Sequence, residues 1–64
     1  MTGKAQEVLQ KLTPSEKESI KRMNPFGKNQ FITEGFGNDS EKFGISFGLF
    51  PLWVKEVLDE IAKE

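Results

Sequence analysis

Lys17, Lys21, Arg22 and Lys28 are the residues whose types and spacing point most directly to chemistry. Lys17 and Lys21 share a helix face by their i, i+4 spacing, and no acidic residue stands between Ser19 and Thr33. Asn24, Asn29 and Gln30 add side-chain amides to the same stretch. Cations of this kind contact phosphates and amides read base edges, so the patch offers nucleic-acid binding as one function. Nucleic-acid-binding domains usually carry a far more basic balance, whereas the net charge here is −1. The simpler reading of the same residues is a solvated helix face.

Covalent and acid–base chemistry find no support. The chain has no His, Cys or Tyr, so its Ser, Thr and Lys side chains lack the partners that usually activate them. No pair of carboxylates falls in an apolar setting that would raise a pKa. The commonest metal ligands, imidazole and thiolate, are missing. Asp39 and Glu41 share one loop but fall well short of the roughly six to eight oxygens that calcium takes. Asn38-Asp39-Ser40 spells a glycosylation acceptor and reads as a turn. The expectation is a non-enzymatic protein without cofactor or metal.

Charge is unevenly spread. Residues 1–33 carry six basic and three acidic groups, and residues 34–64 carry three basic and seven acidic groups. Such asymmetry can steer a partner or orient self-association.

These groups must be placed by a small scaffold. The 64 residues make one domain at most, and a chain of this size buries only about 60% of its unfolded surface. Disulfides are excluded, so oligomerisation or a protein partner is the expected way of adding buried area. The lack of cysteine fits a cytoplasmic setting. The first residues have no apolar core of a signal peptide. The longest uncharged run, 43–54, falls short of the roughly 20 apolar residues of a membrane span.

Ala5, Val8, Leu9 and Leu12 repeat at i, i+3, i+4, i+7 and predict an amphipathic helix over about 4–12. Thr13-Pro14-Ser15-Glu16 is a helix-start signature, with a capping box and a proline at the first helical position. The helix it opens runs over about 14–23, where Pro25 and a capping Asn24 end it. Residues 24–29 read as a connector. Residues 30–36 read as a strand of imperfect phase, with Phe31 and Thr33 facing one way and Ile32 and Phe36 the other, and Gly35 is a candidate bulge. Residues 37–41 read as a turn.

Residues 42–49 read as the second strand. Phe43, Ile45, Phe47 and Leu49 alternate with Gly44, Ser46 and Gly48, the period-two pattern of a pleat with one apolar face. Four Phe-Gly dipeptides begin at Phe26, Phe36, Phe43 and Phe47, and they fit Phe filling a core while Gly keeps the opposite face open. Gly44 and Gly48 then mark where a helix packs tightly or a partner's backbone approaches. Pro51 opens a last helix over about 51–63, whose stripe is Trp53, Val54, Val57, Leu58 and Ile61.

The predicted fold is a small α+β domain of order helix-helix-strand-strand-helix, an antiparallel β-hairpin covered by amphipathic helices. Its expected function is protein–protein interaction, as a regulator, an inhibitor or a minor subunit of a larger complex. The partner would be another protein or a second copy of the chain. Trp53, with Phe50 beside it, is either an interface anchor or the completion of the core. Nucleic-acid binding through the basic patch is the alternative. Peripheral membrane association through Phe47, Leu49, Phe50, Leu52 and Trp53 is a third reading.

Overall fold

A computed structural model describes residues 2–64 and leaves Met1 outside them. Five α-helices follow in order: α1 (Gly3–Lys11), α2 (Pro14–Lys21), α3 (Pro25–Phe36), α4 (Asp39–Gly44) and α5 (Leu52–Ala62), with a 3-10 turn Ile45–Phe47 continuing α4. Among the described residues there is no strand. The expected α+β hairpin is therefore corrected to an all-helical fold.

The cause is local and repeats along the chain. Thr2, Thr13, Asn24 and Asn38 each stand at an N-cap, and each side chain accepts a hydrogen bond from the amide three residues on. That bond satisfies one of the orphan donors of a helix start. Thr13–Glu16 forms the capping box its sequence predicts, and Asn38–Glu41 forms a second one. Asn24 does not cap the end of α2. Its side chain accepts from the Gly27 amide at 2.6 Å, and Pro25 takes the first position of α3. The connector is thus a helix start. With α3 begun there, Ile32 and Phe36 lie at i, i+4 on one inward arc, so the broken strand phase is a helical one. Gly35 is an exposed helical position, not a bulge.

None of these helices is long enough to stand alone, and the core holds them. Ala5, Val8 and Leu12 from α1, Ile20 from α2, Ile32 from α3, and Trp53, Val54, Val57 and Ile61 from α5 are buried together. Leu9, Phe31, Phe36 and Leu58 pack against them half-buried. Helix α5 is the hub, in contact with α1, α2 and α3, while α4 lies against α3. Thr33 is the one buried polar residue among those described, and its hydroxyl donates to the Asn29 carbonyl at 2.8 Å. No described helix is long and apolar enough to cross a membrane.

The 42–49 segment departs furthest from expectation. Phe43 and Phe47 do not enter the core: they are 70% and 66% exposed. As a helical i, i+4 pair their rings meet 5.4 Å apart. The turn closes as a Schellman motif, with the Leu49 amide donating to the Gly44 carbonyl at 3.0 Å and the Gly48 amide donating to the Ile45 carbonyl at 2.9 Å. Gly48 takes the left-handed conformation at φ 70°. No atom beyond its neighbours lies within 4 Å of where its Cβ would stand, so no helix of the chain packs tightly on Gly48, and its requirement within the chain is one of backbone conformation. Gly48→Val is expected to cost about 1–2 kcal/mol, and Gly48→Asn markedly less, because Asn tolerates this conformation. Urea denaturation of the two variants checks the difference, and equal losses would point to sterics instead.

Candidate functional site

The candidate site is the apolar surface carried by α4, the 3-10 turn and the first turn of α5. Its scaffold begins at Asn38, where one carboxylate joins two elements. Glu41 Oε1 accepts from the Asn38 amide at 2.9 Å, and Glu41 Oε2 accepts from Trp53 Nε1 at 2.8 Å. The Trp53 bond first, and the Asn38 bond second, hold the Glu41 carboxyl below its ordinary value of 4.5. The indole so anchored is 7% exposed, and the Lys4 ammonium lies 5.3 Å from its ring centroid. Of the two roles open to Trp53, completion of the core is the one its burial supports.

Fixing Trp53 inward sets what faces outward. Phe43, Phe47, Leu49 and Leu52 are each about two-thirds exposed, all within ten residues of chain. Phe50 is half-buried and packs edge-on against Phe26 with ring centroids 5.6 Å apart. Phe26 is itself 52% exposed. Gly44 sits beneath Leu49, where an added Cβ would stand 3.1 Å from the Leu49 carbonyl oxygen. The close approach expected at Gly44 is therefore made by the chain's own turn. The pleat expected over 42–49 turns Phe43, Phe47 and Leu49 toward the core, and the fold puts all three outside. The i, i+4 spacing of Phe43 with Phe47 was the available signal.

The basic residues are arranged differently. Lys17 Nζ pairs with Glu64 Oε1 at 3.1 Å. Lys21 Nζ lies 3.4 Å from Glu18 Oε1 and 3.4 Å from the Glu64 carbonyl oxygen. The two lysines thus converge on acceptors of the chain itself. Arg22 is exposed at the end of α2, and Lys28 is half-buried in the first turn of α3. A cation in the first turn of a helix opposes the helix dipole. Among the described residues no three carboxylates gather as a metal site would require.

The chain matches no family model, and it matches neither a curated protein nor a solved structure.

Proposed function

We propose that this chain is a small non-enzymatic protein–protein interaction module, a regulator or minor subunit of a larger assembly, and that segment 43–52 is its contact surface. The observation that carries this is the exposure of Phe43, Phe47, Leu49 and Leu52 within a run, 43–54, that has no charged residue. Single exposed apolar residues are ordinary, whereas a concentrated set marks an interaction site. Interface centres are rich in aromatic residues and poor in charge. The phosphate-binding reading is weaker because Lys17 and Lys21 already have acceptors within the chain. The membrane reading loses Trp53, which lies inside. A cytoplasmic place for the protein rests on its cysteine-free composition.

The test is capture by immobilised protein, beside a Phe43→Gln/Phe47→Gln bait and a nuclease-treated control. Both side chains are exposed, so the variant alters the surface and spares the core. Capture of a defined protein should persist between about 50 and 200 mM salt, where phosphate contacts weaken steeply. It should survive nuclease and disappear with the double variant. Loss on nuclease treatment overturns the reading in favour of nucleic acid, and retention by the variant removes segment 43–52 as the surface.

A further inference from the structure

We infer that the occupant of this surface is a second copy of the chain, paired with the first about a two-fold axis. This rests on the interaction reading above and goes further by naming the partner.

The first argument is electrostatic. A two-fold contact sets a surface against its own copy, so a charged patch meets like charge and an uncharged one does not. Residues 43–54 carry no charge. A net charge of −1 over the whole chain also leaves little long-range repulsion between copies.

The second argument is area. With ~200 Å² for a fully exposed large apolar side chain, Phe43, Phe47, Leu49 and Leu52, each about two-thirds exposed, together offer on the order of 500 Å². That compares with 4168 Å² for the entire surface. Two copies burying this patch would remove ~1,000 Å², the size of a weak, transient interface. Pairing is thus expected to be weak and reversible.

The geometry supports a preformed contact. The tilted rings of Phe43 and Phe47 already pack on each other, and the Schellman turn fixes where Leu49 follows. A paired surface therefore needs little ordering on association.

Sedimentation equilibrium from ~1 µM to ~1 mM tests this on the whole chain. The wild type should pass from the mass of one chain to that of two. Phe43→Gln/Phe47→Gln should weaken pairing at least ~10-fold, and Leu52→Gln, at the other edge of the surface, should weaken it independently. Circular dichroism should show wild-type helix content in both. A wild type that stays monomeric throughout overturns the inference, as does association that neither variant weakens. The two readings fail separately. A monomeric wild type that still captures a defined protein through Phe43 and Phe47 overturns the pairing alone, and one that captures nothing overturns both.

Discussion

Trp53→Ala is expected to cost about 3–5 kcal/mol of stability, the largest single effect the structure implies. Truncating a buried Trp costs about 3–5 kcal/mol through lost transfer free energy and the cavity left behind. A chain of this length has a total stability on the order of 3–10 kcal/mol. The two ranges overlap, so one substitution removes a third or more of what holds the fold. Two further losses follow from the position of the indole. Glu41 Oε2 loses its donor, and the Lys4 ammonium loses the ring face it lies over. Far-UV circular dichroism with urea denaturation reads the outcome. Phe47→Gln, with a side chain 66% exposed, is the internal contrast and should stay within about 0.5 kcal/mol of wild type. Cooperative unfolding of Trp53→Ala within about 1 kcal/mol of wild type would mean that the indole does not complete the core. For the same reason Trp53→Ala is a poor probe of the interface, since it would weaken binding by destabilising the fold.

What the sequence disclosed of this fold followed from how many residues each signal spans. The stripes of α1 and α5 extend over two or more helical turns, long enough for period 3.6 to separate from every alternative. The 43–49 segment is shorter. Phe43, Ile45, Phe47 and Leu49 satisfy period two, yet Phe43 with Phe47 and Gly44 with Gly48 satisfy i, i+4 equally well. Hydrophobic pattern alone does not decide such a case, and the caps do. Asn24-Pro25 and Asn38-Asp39-Ser40-Glu41 follow the same rules as Thr13-Pro14-Ser15-Glu16, with a side-chain acceptor followed by proline or by an acid at the third helical position. Applied at all three positions, those rules start α3 and α4 and leave no room for a hairpin. The candidate surface was half legible. Phe47, Leu49 and Leu52 belong to the segment the membrane reading offers as a surface, while the strand reading turns Phe43, Phe47 and Leu49 into a core that only a hairpin would need. Lys17 with Glu64 was not legible, because the pair joins residues 47 apart in sequence and depends on how α2 and α5 pack.

Glu41→Ala is expected to cost about 2 kcal/mol and to loosen α4 and its 3-10 turn while the rest of the fold persists. Hydrogen bonds to a charged group are worth about 1.5–3 kcal/mol each, and the two made by Glu41 are discounted because its carboxylate is partly exposed to solvent. Helix α4 has six residues and cannot persist without its cap and its tie to α5. Glu41→Gln keeps one amide oxygen as an acceptor and should lose about half as much. Pairing through Phe43 and Phe47 should weaken along with α4, since that helix and its turn present both rings. The pH dependence follows from the same carboxylate. Its folded pKa lies below the ordinary 4.5, so the unfolded chain binds more protons as the solution is acidified. The contribution is fully present above the unfolded value and is lost as pH falls through the folded one. Glu7, held low by its hydrogen bond from Lys11, and Glu56, held low by the Thr2 amide, act in the same direction. The acid limb of stability thus has several contributors, and Glu41→Gln isolates one. Trp53 fluorescence followed through urea denaturation at stepped pH should show wild-type stability falling below about pH 4.5. The Glu41→Gln curve should start lower and fall less. Parallel curves would mean that the Glu41–Trp53 bond does not form in solution, and α4 would then be held to α5 by apolar packing alone.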